Sequence, residues 1–156
     1  MAAPHPEFDL DGHLFFWLTQ VIGARDRRLN AELKDFGLRV PEWRALAALY
    51  SRRHCTMSVL ADLASIDRTT LTRTVDRMQD AGWLARLSDG DDMRVTRLVL
   101  TAAGERLFSR IWPSVARLNE AAVARLAPAT VEKLRAALAQ MKVNLDEEPA
   151  SSERAA

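Results

Sequence analysis

Asp67-Arg68-Thr69-Thr70-Leu71-Thr72-Arg73-Thr74-Val75-Asp76-Arg77-Met78-Gln79-Asp80-Ala81-Gly82 is the stretch on which the fold turns. Leu71, Val75 and Met78 recur at i, i+4 and i+7, one face of a helix, while Thr69, Thr72, Arg73, Asp76 and Arg77 fall on the other. The helix is expected to run to about Ala81, with Gly82 as the closing residue. Upstream, Ser58 fits an N-cap for a short helix over Val59 to about Ala64, joined to the next by Ser65-Ile66-Asp67-Arg68. Two short helices across a tight turn make a helix-turn-helix. Downstream the pattern changes: Trp83-Leu84-Ala85-Arg86-Leu87 and Arg94-Val95-Thr96-Arg97-Leu98-Val99-Leu100 read as strands around the turn-rich loop 88–93, a β-hairpin or wing.

Farther out the chain is helical. Leu10, Leu14, Trp17, Val21, Leu29, Leu33 and Phe36 keep helical spacing up to Gly37, a C-cap glycine. Pro41 fits a first helical position, and Trp43, Leu46, Ala47 and Tyr50 follow at i, i+3, i+4 and i+7, so a second helix reaches about Ser51. Thr101 can cap a last long helical region, broken or kinked at Pro113 and restarted near Pro128, in which Leu107, Ile111, Val115, Leu118, Leu134 and Leu138 recur. The fold class is mainly α with a small β-hairpin wing.

The balance of charge bounds the function. A net charge of +1 gives no general affinity for nucleic acid, so a DNA reading depends on where the charges sit. All but Lys34, Lys133 and Lys142 of the 22 basic residues are arginine, the side chain suited to bidentate contact with phosphate and guanine. No apolar run approaches the roughly 20 residues a membrane helix needs, and the first residues do not resemble a signal peptide, so a cytoplasmic protein without membrane contact is expected. The lone Cys55 excludes an intrachain disulfide. His5, His13 and His54 have no zinc spacing, and no nucleophile elbow, phosphate-cradling glycine loop or carboxylate pair is present. Neither a metal, a cofactor nor an enzyme activity is expected.

On the outward face of the 67–82 helix, hydroxyls and guanidiniums can reach phosphates and base edges once the helix lies in a major groove. A solvated face with intrahelical pairs such as Arg73 with Asp76 or Arg77 is the competing reading. In the wing, Arg94 beside Asp91 and Asp92 could be aimed by a carboxylate into a minor groove, against the alternative of an ordinary surface ion pair.

Asp92-Met93-Arg94-Val95-Thr96-Arg97-Leu98-Val99-Leu100-Thr101 followed by Gly104 resembles the Asp-x-Arg-x-x-x-Leu-x-Leu-Thr-x-x-Gly signature of the MarR family of winged helix-turn-helix regulators. The segments 66–73 and 76–83 resemble that family's recognition helix and its closing glycine. The resemblance implies a homodimer whose helical dimerisation region is 9–36 with 101–145, a DNA-binding lobe over 40–100, and a pseudo-palindromic operator in double-stranded DNA, while the two prolines of 1–8 and the acidic, small and polar residues of 146–156 mark flexible tails. It implies DNA contacts from Arg68, Thr69, Thr70, Thr72, Arg73 and Arg77, with Arg94 as wing-tip arginine and Asp92 as its orienting partner. Met93 departs from the pattern, where a second arginine is common.

The cleft between dimerisation helices and winged lobe receives aromatic carboxylates or phenols in the family, and His13, Trp17, Trp43 and Arg44 are its candidate lining here. The expected function is therefore a repressor released from its operator by a small aromatic ligand. Two alternatives stand beside it: a redox sensor acting through Cys55, and a DNA-binding protein that needs no ligand.

Overall fold

The structure is a computed structural model that describes residues 9–88 and 96–147. Its elements in chain order are α1 (Leu14–Lys34), α2 (Val40–Arg52), β1 (His54–Cys55), α3 (Met57–Ala64), α4 (Arg68–Asp80), β2 (Leu84–Ser88), β3 (Thr96–Leu100), α5 (Ala102–Val123) and α6 (Pro128–Asp146). The three strands form one antiparallel sheet in the order β1-β3-β2, with His54 opposite Val99 and Leu84 opposite Leu100. The chain divides into two compact units, one running to Leu118 and the other from Asn119.

The first unit is organised by one apolar core. Leu29 and Leu33 of α1, Leu46 and Leu49 of α2, Leu60 of α3, and Leu71, Val75 and Met78 of α4 are fully buried with Leu84, Leu98, Ile111 and Val115. The inward triad anticipated on the 67–82 helix thus faces this core. Burying such a side chain stabilises by about 1.5–3 kcal/mol, which fixes the rotation of α4 and turns its other face outward. In the second unit α6 buries none of its residues. Among the described residues no helix is long and apolar enough to cross a membrane.

The chain reversals follow from named hydrogen bonds. After α1, Gly37 takes φ +68° while the Leu38 and Gly37 amides donate to the Leu33 and Lys34 carbonyls at 3.2 and 3.0 Å, a Schellman closure. Gly82 repeats it after α4 at φ +73°, with the Trp83 amide on Met78 O and its own on Gln79 O, both at 2.9 Å. At the sheet exit, Thr101 Oγ1 donates to Gly82 O at 2.6 Å and accepts from the Gly104 amide at 3.1 Å. A Cβ on Gly104 would stand 2.1 Å from Trp83 O, so only glycine lets α5 approach the start of β2 this closely.

Several expectations need correction. α3 is capped by Thr56, whose hydroxyl accepts from the Val59 amide, rather than by Ser58, and it begins at Met57. Leu10 precedes α1, whose N-cap is His13. α5 is unbroken through Pro113. Both Ser109 and Pro113 are exposed, so the carbonyl that loses its i+4 partner lies on the solvent side and water can satisfy it. The strand β1 was not anticipated, and Arg68, expected in the turn, opens α4. Asp92 and Arg94, and with them the wing tip, lie outside the described residues.

Candidate nucleic-acid interface and adjoining cleft

The start of α4 is set by Asp67, whose Oδ1 accepts from the Thr70 amide at 2.9 Å. Hydrogen bonds from Thr70, side chain first and then backbone, hold the Asp67 carboxyl below its ordinary value. α3 ends on Ser65, a non-glycine residue at φ 51°, with the Ile66 amide on Ala61 O at 3.1 Å. That sharp turn and the cap on α4 together set the angle between the two helices.

Beyond the cap, Arg68, Thr69, Thr70, Thr72 and Arg73 are all exposed. Neither Arg68 nor Arg73 has an ion-pair partner among the described residues, so the intrahelical Arg73–Asp76 pair is not formed. Asp76 is held by Arg86 of β2 instead, Nη2 to Oδ1 at 2.7 Å, and Arg86 Nη1 also donates to Gln79 Oε1. This ties α4 to the strand that leads into the wing. Unpaired guanidiniums on a face whose rotation is fixed from behind are what phosphate and base-edge contact requires.

Arg77 is engaged differently. Its Nη1 donates to Glu42 Oε1 at 3.0 Å and its Nη2 to Gly37 O at 2.9 Å. Glu42 is buried, and its other oxygen accepts from the Arg39 amide at 2.6 Å. Arg77 thus completes the hydrogen bonding of a buried carboxylate and fastens α4 to the junction between α1 and α2. Its position on the outward face of the sequence pattern did not show this, because the partner lies 35 residues away.

A cleft of about 660 Å3 opens beside α1, α2 and α3, lined by Ile22, Arg25, Trp43, Arg44, Arg52 and Leu63 among others. Trp43 is buried, and Arg44 Nη2 donates to Asp26 Oδ2 at 2.8 Å while Arg25 Nη1 approaches Asp26 Oδ1 at 3.4 Å. Two of the four sequence candidates for a ligand pocket, Trp43 and Arg44, therefore share this cleft. The other two do not line it: His13 stands at the N-cap position of α1 without a side-chain cap hydrogen bond, and Trp17, about half exposed, donates from Nε1 to Asp11 O at 2.6 Å. The proximity of Arg25 and Arg52 was missed, since nothing in a linear pattern brings the middle of α1 to the end of α2.

Cys55 is buried in β1 opposite Leu98, and burial pushes its thiol up from the ordinary value. A raised thiol carries little reactive thiolate near neutral pH, which removes support from the redox alternative.

The sequence profile of the MarR family matches residues 36–94. The chain is 28% identical over 140 residues to the HTH-type transcriptional repressor IacR of Pseudomonas putida, covering 90% of this chain and 84% of that one. A MarR-family transcriptional regulator of Silicibacter pomeroyi superposes with a TM-score of 0.82 at 25% identity, over 97% and 99% of the two chains. NadR in complex with 4-hydroxyphenylacetate superposes with a TM-score of 0.77 at 26% identity, over 90% of this chain and 97% of that one.

Proposed function

Because the chain belongs to the MarR family of winged helix-turn-helix transcriptional regulators, we propose that it acts as a homodimeric repressor that leaves its operator when a small aromatic acid or phenol binds. The observation that carries the DNA half of this reading is the exposed edge of α4. Arg68 and Arg73 stand there without described ion-pair partners, beside three threonine hydroxyls, while Arg77 and Arg86 brace the helix from two sides. Binding and bracing are thus divided among the arginines, and Arg77 takes a positioning role.

The dimer is supported by apolar surface that the chain does not bury by itself. Leu14, Phe15, Trp17 and Val21 of α1 are about half exposed, as are Leu134 and Val143 of α6. Exposed apolar patches of this kind mark association, and a twofold pair would present two recognition helices to successive major grooves about 10 base pairs apart. Ile111 and Val115, which lie in the 101–145 region expected to form the interface, are buried in the core of the first unit.

The ligand half rests on the cleft holding Trp43 and Arg44 and on the similarity to NadR, whose structure is a complex with an aromatic acid, 4-hydroxyphenylacetate. The cleft combines an indole, aliphatic walls and guanidiniums, the chemistry an aryl carboxylate needs. To shift the equilibrium, the ligand must bind the DNA-free conformer more tightly than the bound one. Aromatic acids titrated against the operator complex in a gel-shift assay test this. Release by the ligand, lost in Arg44→Gln while DNA binding remains, is the expected result; release unchanged in Arg44→Gln contradicts this pocket.

A further inference from the structure

Three threonines stand on the exposed edge of α4, and their hydroxyls are not equivalent. Thr72 Oγ1 donates to Arg68 O at 2.9 Å, which turns this hydroxyl in to the backbone of the preceding turn. The Thr70 side chain is hydrogen-bonded to the Asp67 carboxyl. Of the three, only Thr69 keeps a hydroxyl without a partner among the described residues. Thr72 is exposed, and with its oxygen engaged by the backbone it offers its γ-methyl outward. Branching at Cβ leaves few χ1 states, so the same hydrogen bond holds that methyl in place.

Hydrogen-bond acceptors on this edge are committed elsewhere. In a major groove guanine and thymine present carbonyl oxygens, cytosine and adenine present an amino group, and thymine alone carries a 5-methyl. Reading an amino group calls for a carboxylate or amide oxygen. Asp76 and Gln79 are such groups on exposed positions of α4, but Arg86 holds both, with Nη2 on Asp76 Oδ1 and Nη1 on Gln79 Oε1. The Asp67 carboxyl is engaged in the cap, and Asp80 closes the helix at its far end, whereas base edges are met by the N-terminal residues of a recognition helix. What remains there is the donors of Arg68 and Arg73, the Thr69 hydroxyl and the fixed methyl of Thr72.

We propose that Thr72 is a specificity-determining residue, whose γ-methyl packs on the 5-methyl of a thymine in each operator half-site, beside the guanine oxygen and nitrogen that Arg73 takes. The inference rests on the reading of α4 as the helix that enters the major groove. It makes the bases facing α4 guanine for the guanidinium and thymine for the methyl, with cytosine and adenine amino groups left unread. Loss of the methyl from either partner removes the contact, and the Thr72 hydroxyl plays no part in it.

An operator selected by the full chain from random duplexes, with each thymine then replaced in turn by deoxyuridine, tests it, because that exchange removes only the 5-methyl. Burying one methyl corresponds to about fourfold in affinity, so the parent should lose about fourfold at one thymine of each half-site. Thr72→Ser keeps the hydroxyl without the methyl; it should bind the unmodified operator about fourfold more weakly and show no further loss at that deoxyuridine. Thr72→Val keeps a methyl without the hydroxyl and should retain the deoxyuridine penalty. A parent that enriches no sequence overturns the reading of α4 and this proposal together. A parent that enriches an operator but tolerates deoxyuridine at every position, a Thr72→Ser protein that shows the parent's full penalty, or a Thr72→Val protein that shows none, overturns this proposal alone.

Discussion

Gly104 and Thr101 illustrate how much chemistry two residues of a motif can hold. The hydroxyl joins the end of α4 to the start of α5, and the missing side chain admits the Trp83 carbonyl. Gly104→Ala should destabilise the fold by about 1–3 kcal/mol, the range for overpacking, measured by urea denaturation. Asp67 supplies a pH dependence. Its carboxyl is held below the ordinary value by Thr70, so the stabilisation it gives is complete above about pH 5 and is lost as pH falls through the depressed folded value. Asp67→Asn keeps the cap without the charge, and the melting-temperature gap between parent and variant should narrow on acidification below about pH 4. At this scale the sequence placed Gly37, Gly82 and Thr101 correctly, whereas the close approach that Gly104 admits had no sign in it. It placed the α3 cap two residues late, because Thr56 and Ser58 offer the same hydroxyl and only the backbone decides between them.

Among the elements, α4 was legible and the sheet only partly so. The period of Leu71, Val75 and Met78 spans two turns, long enough to distinguish a helix from other patterns. A strand of two residues, His54–Cys55, has no period to read and exists only because Leu98 and Val99 pair with it. Arg77 shows the limit of a helical-wheel argument: the side chain keeps much of the exposure that the pattern gives it, yet it also pairs with the buried Glu42 once α2 is packed beside α4. Arg73→Ala should relax base preference by about 1–3 kcal/mol, whereas Arg94→Ala should weaken binding evenly across sequences and lower the salt slope by about one. Arg77→Ala should instead reduce thermal stability together with DNA affinity, since it leaves Glu42 without its cationic partner.

For the molecule as a whole, the apolar residues of α1 and α6 that remain exposed predict a folded dimer at micromolar concentration, and a stable folded monomer in sedimentation would contradict it. Helical spacing marked these residues as apolar but could not say which are spent inside the first unit, as Ile111 and Val115 are, and which are left for a partner. The cleft beside α1, α2 and α3 was only partly legible for the same reason: Trp43 and Arg44 are neighbours in sequence, whereas Arg25 of α1 reaches them only through packing. A twofold protein that reads DNA through the exposed edge of α4 must select two matching half-sites and depend on Arg73 for base preference. Selection from a random duplex library, with parent and Arg73→Ala proteins in parallel, measures it most directly. Enrichment by the parent of a pseudo-palindrome whose half-sites lie about 10 base pairs apart, with weakened base preference in the variant, is the predicted result; enrichment of a single asymmetric site, or of the same sequence equally by both proteins, would contradict it.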